Sequence, residues 1–438
     1  MFPDEVVVVG IHSAKFPSEQ ITRNLREAVL RHGIDHPVVN DAQRGIWEAY
    51  AIRAWPTVLL VDPAGRIAGS WAGEILAEDL AVDIRRLIDR HAAEGTLDRR
   101  PVDTQPERAG VPDRPLAYPS KVLADPENGR LFISDTGHHR VLEVALDADG
   151  IGGAVRRVFG SGTAGLVDGP AGRAAFHGPH GLDRLGATLY VADTENHAVR
   201  AIDLDAGTVR TVAGMGEKAH GRLVLEAPTA TPLRSPWAVL AVEHLLFIAM
   251  AGAHQIWVLV DGEALGPFAG NGREALVDGP RARASFNQPM DLALGYSHLF
   301  VADAEASAVR AIRLDDDPEV FTLVGTGLFD WGDRDGTGVA ARLQHPAGLA
   351  FGNGTLYVAD SYNHKVKTLD PRTGTAATLV GTGDAGHADG PFETARLFEP
   401  EGVSAAGTLL YVADTNNHAV RVADLVGRSV TTLALRGA

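Results

Sequence analysis

The feature that most restricts the fold of this chain is an internal repeat that runs from residue 118 to the end. Six segments share one pattern, in which an apolar run such as LYVAD is followed by a turn and a second apolar run. Their anchor positions are residues 135, 193, 250, 303, 360 and 414, at separations of 58, 57, 53, 57 and 54 residues. A proline lies 14 residues before the anchor in five of the six copies. Such fixed offsets indicate stacked copies of one supersecondary unit.

Each unit contains short apolar runs separated by turn signals, without a helical period. In the second copy these runs include Leu189–Ala192, Ala198–Leu204 and Thr208–Val212. Four antiparallel strands per repeat are typical of a β-propeller blade. A single four-stranded sheet exposes both faces to water, whereas blades packed around an axis bury both faces. The sequence therefore predicts a mostly β protein with a six-bladed propeller over residues 118–438.

An acid and an imidazole recur at the end of the first apolar run of each unit. The acid is Asp135, Asp193, Asp303, Asp360 and Asp414, and the imidazole four residues later is His139, His197, His254, His364 and His418. A catalytic acid–base pair is the alternative, but six copies cannot all serve one axial site. Met250 replaces the acid and Ser307 the imidazole without disturbing the spacing. We interpret these groups as structural, holding turns and bonding backbone between blades.

Residues at the start of each inner strand differ from blade to blade and are the candidate binding positions. We expect them at the mouth of the central channel, where loops on a rigid scaffold carry function. The named candidates are Tyr118, His180, Trp237, Asp291, His345 and Glu401. Nitrogen and oxygen ligands for a metal are available among His180, His345, Asp291 and Glu401. No residue is assigned as catalytic, metal-binding or cofactor-binding, and no cofactor is predicted.

Composition narrows the function classes. The formal net charge of −16 repels phosphate backbones and disfavours nucleic acid as a partner. The absence of cysteine excludes disulfides, thiolate metal sites and a cysteine nucleophile in this polypeptide. No apolar run reaches 18 residues, and the start MFPDEVVVVG lacks a basic leader followed by an apolar stretch. We therefore expect a cytoplasmic protein that does not enter a membrane.

Residues 1–93 have a different character, with alternating strand and helix signals of the α/β class. Val6–Val9 and Thr57–Val61 are predicted as buried strands, a helix follows the capping candidate Ser18, and an amphipathic helix ends near Gly95. Residues 94–117 contain many prolines and charges and few large apolar residues, which predicts an interdomain linker.

The repeats carry a resemblance to a known family. The pattern Asp-x-x-Asn-His-x-Val in Asp193–Val199, Asp360–Val366 and Asp414–Val420 resembles the NHL repeat. This resemblance implies a six-bladed propeller. It leaves the activity open, because members of the family include RNA-binding propellers, protein-interaction platforms and a zinc-dependent peptide-amidating lyase.

The front segment resembles the second half of a TlpA/ResA-like thioredoxin fold. The matching stretches are VVVVGIHSAKF at 6–16, HPVVND at 36–41, AWPT at 54–57 and DPAGRI at 62–67, and the resemblance implies that Pro56 is the cis-proline. Both halves together resemble the NHL-repeat-containing protein 2 family, a thioredoxin-like domain followed by a propeller. In that family a first strand and a helix bearing Cys-Cys-x-x-Cys precede this point, so we expect a truncated thioredoxin-like domain with that part upstream of Met1.

Three functional hypotheses remain open at this stage. The first is a non-catalytic scaffold whose propeller face binds a protein or peptide, with a redox-inactive thioredoxin-like module. The second is a thiol–disulfide oxidoreductase whose cysteine motif lies upstream of the start, and the third is a metal-dependent lyase or lactonase in the propeller channel. RNA binding ranks below these because of the net charge. The sequence predicts neither the ligand nor the oligomeric state.

Overall fold

A computed structural model describes residues 2–100, 102, 106–221 and 225–438. The chain divides into two compact units, one ending at Asp113 and the other spanning Arg114–Ala438. Among the described residues, none of the helices combines the length and apolar character that crossing a bilayer requires.

The described residues of the first unit form four short strands and three α-helices. The strands are β1 (Gly10–His12), β2 (Val38–Asn40), β3 (Thr57–Val61) and β4 (Ile67–Ala72), and the helices are α1 (Thr22–Arg31), α2 (Gly45–Ala49) and α3 (Ala77–Ala93). Short 3₁₀ turns lie at Ser18–Gln20 and Glu107–Gly110. Strands β1 and β2 pair in parallel, whereas β3 and β4 form a separate antiparallel pair. Two such pairs do not define a thioredoxin fold by themselves, so that likeness stays a prediction.

The expected strand Val6–Val9 is wrong, because the strand starts at Gly10. Val7, Val8 and Val9 are 56%, 56% and 49% exposed. The ladder begins where the Gly10 N–H donates to the Pro37 carbonyl at 2.8 Å. Pro37 has no N–H with which to continue the ladder backwards, so the apolar run before Gly10 stays unpaired.

The second unit is a ring of six sheets, and the predicted six-bladed propeller is confirmed. The inner strands of blades 1 to 6 are Pro119–Asp125, Pro179–Leu185, Pro236–Val242, Pro289–Gly295, Pro346–Gly352 and Pro400–Ala406. The second strands are Arg130–Asp135, Thr188–Asp193, Leu245–Met250, His298–Asp303, Thr355–Asp360 and Leu409–Asp414. The third strands are Arg140–Leu146, Ala198–Asp203, Gln255–Val260, Ala308–Arg313, Lys365–Asp370 and Ala419–Asp424. The outer strands are Gly152–Phe159, Thr208–Ala213, Ala264–Ala269, Glu319–Val324, Thr375–Val380 and Ser429–Thr432.

The ring is closed by the C-terminal residues. Blades 2, 4, 5 and 6 carry a two-residue fifth strand outside the outer one, at Gly169–Pro170, Gly279–Pro280, Gly336–Thr337 and Gly390–Pro391. In blade 1 this place is taken by Ala434–Arg436, which pairs in parallel with Gly152–Ala154. The outer strand of blade 6 therefore ends at Thr432, and the chain crosses to blade 1.

Each interface between neighbouring blades is its own apolar core. Between blades 6 and 1, for example, Leu131 and Ile133 pack with Tyr411 and Val420, and all four are buried. This two-sided burial explains why the strand sequences are apolar at consecutive positions.

Candidate functional site

The five repeated aspartates are fully buried and hold the start of their own blade. In each case Oδ1 accepts the backbone N–H of the residue two positions before the blade-opening proline, at 2.6 to 2.7 Å. The donors are Ala117, His177, Asn287, Gln344 and Phe398. A carboxylate that satisfies a buried N–H fixes where the inner strand begins.

The second carboxylate oxygen takes part in a ladder of ion pairs. In blade 2, Arg200 donates to Asp193 at 2.8 Å and to Asp168 at 2.8 Å, and both arginine nitrogens also donate to backbone carbonyls. Asp168 in turn accepts the N–H and the hydroxyl of Thr211 at 3.0 and 2.9 Å. The same ladder recurs around Arg310 in blade 4 and Arg421 in blade 6, and with Lys367 in blade 5.

Sequence reasoning missed this basic partner, although its signal was readable. An arginine or lysine lies seven residues after the aspartate in blades 2, 4, 5 and 6, and the Asp-Gly of the preceding connection supplies the second carboxylate. Blade 3 replaces both members, with Met250 and Trp257 fully or almost fully buried in their places. Losing both charges together avoids leaving one charge buried without a partner.

The repeated histidines join each blade to the next. All five have left-handed backbone, and each Nδ1 accepts a backbone N–H of the following blade at 3.2 to 3.3 Å. The bond from the Tyr118 N–H to His418 closes the ring between blades 6 and 1. Between blades 4 and 5 the Ser307 hydroxyl accepts the N–H of His345 at 3.3 Å instead.

Three of these imidazoles are shifted toward the neutral form that such a bond requires. Burial lowers the pKa of His139 and of His197, and it lowers the pKa of His418 to about 4. A neutral ring can keep Nδ1 as an acceptor, whereas an imidazolium has two donors and no acceptor.

The centre of the propeller is crossed by a buried lysine. Lys121 of blade 1 donates from Nζ to Asp291 of blade 4 at 2.9 Å, to the Ala347 carbonyl at 2.5 Å and to the Glu401 carbonyl at 2.9 Å. Small residues occupy the same position in blades 2, 3, 5 and 6, namely Gly181, Ala238, Gly348 and Gly402, and in blade 4 this position is Asp291 itself. A Cβ added at Gly348 would lie 2.4 Å from the Glu401 carbonyl oxygen, so glycine allows the inner strands to approach closely.

The predicted channel-mouth residues lie mostly beneath the surface. Tyr118, His180 and Glu401 are buried, and Trp237, Asp291 and His345 are partly exposed. His180 packs against Trp237 with ring centroids 4.5 Å apart and pairs with the Gly178 carbonyl at 2.9 Å. Burial lowers the pKa of His180.

Three of the four residues considered as metal ligands contact different partners. Asp291 pairs with Lys121, His180 contacts Trp237, and the His345 Nε2 lies 3.2 Å from Glu305 Oε1. Over residues 2–100, 102, 106–221 and 225–438 no group of three or more His, Asp or Glu side chains could hold a metal ion.

In the first unit the Trp55–Pro56 peptide bond is cis. Trp55 donates from its indole nitrogen to the Ser13 carbonyl at 2.8 Å, and the Arg44 guanidinium lies 5.2 Å from its ring. Asp41 accepts the N–H groups of Ile46 and Trp47 at 3.0 and 2.8 Å, which fixes the start of α2.

Comparison with known proteins supplies relatives for the whole chain. The family model for the NHL repeat matches residues 343–369. NHL repeat-containing protein 2 of Bos taurus is 39% identical over 98% of this chain, and that of Homo sapiens is 38% identical over 99%. Protein SUPPRESSOR OF QUENCHING 1, chloroplastic, of Arabidopsis thaliana is 39% identical over 98% of the chain. The chain spans 63%, 64% and 42% of these three proteins' own lengths.

Solved structures are similar to the chain at low identity. A Nidogen/Laminin complex matches with a TM-score of 0.45 and 15% identity, covering 68% of this chain and 90% of that one. A gluconolactonase of Xanthomonas campestris matches with a TM-score of 0.45 and 14% identity, covering 72% of this chain and 86% of that one.

The six blades and their Asp and His joints define an NHL-repeat β-propeller protein. Within that class, the chain is homologous to NHL repeat-containing protein 2 over nearly its whole length.

Proposed function

We propose that the chain is a non-catalytic binding scaffold whose propeller engages a protein or peptide. The binding face is the one at which the inner strands begin. One observation carries this proposal: Lys121 crosses and fills the centre, while the repeated acid and imidazole groups serve the blades themselves. The differences between blades are then concentrated at the surface of that face, on the connections and turns around the mouth.

The first unit serves, in the same proposal, as a redox-inactive thioredoxin-like module. Thiol–disulfide exchange requires a thiolate, and the printed sequence contains no cysteine. In this proposal the first unit contributes to binding and not to redox chemistry.

The test is a selection of random 12-residue peptides displayed on phage, with the intact chain as the target. We expect enriched peptides that bind with dissociation constants in the micromolar range, as measured by isothermal titration calorimetry. Hydrogen exchange with bound peptide should protect turns on the binding face, such as Thr194–Asn196, Ala304–Ala306 and Ser361–Asn363. No enriched sequence, or protection confined to the hairpins at the opposite face, would contradict the proposal.

A further inference from the structure

The connection between blades 4 and 5 has a longer tip than its counterparts. In the connections entering blades 2, 4 and 6, the Gly-x-Gly is followed by two residues that form the tip. The next residue donates its backbone N–H to a carbonyl further along the same connection. The two-residue tips are Thr163-Ala164, Arg273-Glu274 and Asp384-Ala385. The corresponding N–H in blade 5 belongs to Gly332, which donates to the Leu343 carbonyl at 3.0 Å. Four residues, Leu328–Trp331, precede it, so the tip carries two extra residues.

The longer tip exposes aromatic surface. The Phe329 side chain is 69% exposed, and its ring centroid lies 6.4 Å from that of Trp331. Val339, in the same connection, is 72% exposed. The counterparts of this tip are small, polar or charged, so propeller folding does not require these rings. Clustered exposed apolar groups mark interaction sites, and aromatic residues dominate binding energy at interfaces.

A second aromatic pair lies on the neighbouring turn. The rings of His345 and Tyr362 are stacked, with centroids 4.3 Å apart and planes 14° apart. The turn that carries Tyr362 is tied to the tip, because Asn363 Nδ2 donates to the Gly332 carbonyl at 2.8 Å. The residues that match Tyr362 in the other blades are Gly137, Glu195, Gly252, Glu305 and Asn416. Blade 5 therefore has two aromatic pairs on this face.

Carboxylates lie beside these rings. Glu305 Oε1 lies 3.2 Å from His345 Nε2, and Asp330, between Phe329 and Trp331 in the sequence, forms an ion pair with Arg342 at 2.6 Å. The chain as a whole carries a formal charge of −16. Cations are attracted to aromatic faces, arginine most often, and more strongly when carboxylates stand nearby.

We propose that Phe329, Trp331, His345 and Tyr362, the blade 5 patch, bind a peptide that presents an arginine or lysine next to an apolar side chain. The cation lies on a ring face near Asp330 and Glu305, and the apolar side chain packs on Phe329. This inference rests on the proposed function and specifies where on the face the peptide binds and what chemistry is recognised.

The experiment uses the peptides selected on the intact chain, titrated into variants of it. Trp331→Ala and Phe329→Ala should each weaken binding about tenfold or more, as expected for an interface anchor. Val426→Ala, which removes a 77% exposed side chain from a hairpin of blade 6, is the matched control and should leave affinity unchanged. The selected peptides should be enriched in arginine or lysine, and binding should weaken as salt is raised. Unchanged thermal midpoints would verify that the variants are folded.

Two results overturn the inference, and they can be told apart from failure of the proposed function. Selected peptides that lack basic residues, or that bind both aromatic variants with the affinity of the parent chain, would remove the blade 5 patch and leave the scaffold proposal standing. A selection that enriches no peptide would remove both.

Discussion

Ser307 reveals what the repeated histidine contributes, because it does the same task with a different atom. Both residues have left-handed backbone, with φ of 49° at Ser307 and 52° at His139. Both accept an N–H of the following blade, at 3.3 Å for Ser307 and 3.2 Å for His139. The requirement at this position is an acceptor, and the imidazole is one of two ways to supply it.

This comparison predicts an ordering of two variants. His139→Ser should be more stable than His139→Ala by about 0.5–1.5 kcal/mol, because only the alanine leaves the Gly178 N–H without its acceptor. Both variants lose the ring and share the backbone strain, so the difference isolates the hydrogen bond. Urea unfolding measures it, and equal stabilities would contradict the interpretation.

A pH dependence follows from the same acceptor role at His418. Burial lowers the pKa of this side chain from 6.5 to about 4 in the folded chain. Between these values the unfolded chain binds a proton that the folded chain does not, so this contribution to stability is complete above pH 6.5 and falls as the pH drops toward 4. The melting midpoint of the parent chain should therefore drop more between about pH 7.5 and about pH 5 than that of His418→Ser. Identical slopes would count against it.

Some single-residue contacts could not be predicted from the sequence. Lys121 and Asp291 are 170 residues apart, and they meet because blades 1 and 4 face each other across a closed ring. The mouth candidates were identified by their positions close to the blade-opening prolines, but such a position does not predict burial. The residue that follows the proline differs from blade to blade, yet His180 and Glu401 at this position are both buried.

At the scale of the element, the ion-pair ladder is shared by blades 2, 4, 5 and 6 and is replaced by apolar residues in blade 3. Asp193 and Arg200 are both fully buried, and burial raises the pKa of Asp193 to about 6. A carboxylate and a guanidinium in that setting depend on each other, which explains why blade 3 lacks both. The seven-residue spacing made this ladder predictable in principle, whereas the Asp-Gly partner required knowing that the connection returns to the same blade.

A double-mutant cycle on blade 2 tests this dependence. Asp193→Met and Arg200→Trp should each cost about 3–5 kcal/mol, since each removes one partner of a buried ion pair. The double variant copies blade 3 and should cost clearly less than the sum, because Asp168 is half exposed and keeps its bonds to Thr211. Denaturant unfolding gives the free energy of unfolding of the parent chain, the two single variants and the double variant. Strict additivity of the two single effects would refute the coupling.

Strand boundaries in the first unit were less predictable than those in the propeller. The run before Gly10 is apolar enough for a buried strand, yet Val7–Val9 are about half exposed. Pairing depends on what lies opposite, and β2 offers only Val38–Asn40 after a proline. In the propeller, each apolar run faces a run of matching length in the same repeat, so pattern and pairing agree.

At the scale of the whole molecule, the repeat predicts the number of blades, but how the ring closes depends on the end of the chain. Ala434–Arg436 pairs with blade 1, and Arg436 makes a two-pronged ion pair with Asp147 at 2.7 and 2.9 Å. Nothing in the repeat pattern distinguishes these residues from a continued outer strand of blade 6.

Truncation tests this closure. A chain ending at Leu433 should be less stable than the full chain by about 2–3 kcal/mol, since it loses the backbone ladder to Gly152–Ala154 and the Arg436 pair. A chain ending at Arg436 keeps both and is the control. Equal melting midpoints by calorimetry for the two truncated chains would contradict a role in closure.

In this account the repeated groups stabilise the ring and the blade 5 patch binds a partner. One measurement tests most directly whether these two roles are separable. It is the calorimetric affinity of a selected peptide for His139→Ala, a joint variant between blades 1 and 2, beside that for Phe329→Ala, both well below their melting temperatures. We predict that His139→Ala melts earlier than the parent chain yet binds within about twofold of it, while Phe329→Ala melts unchanged and binds about tenfold more weakly. Equal losses of affinity in the two variants would contradict the separation.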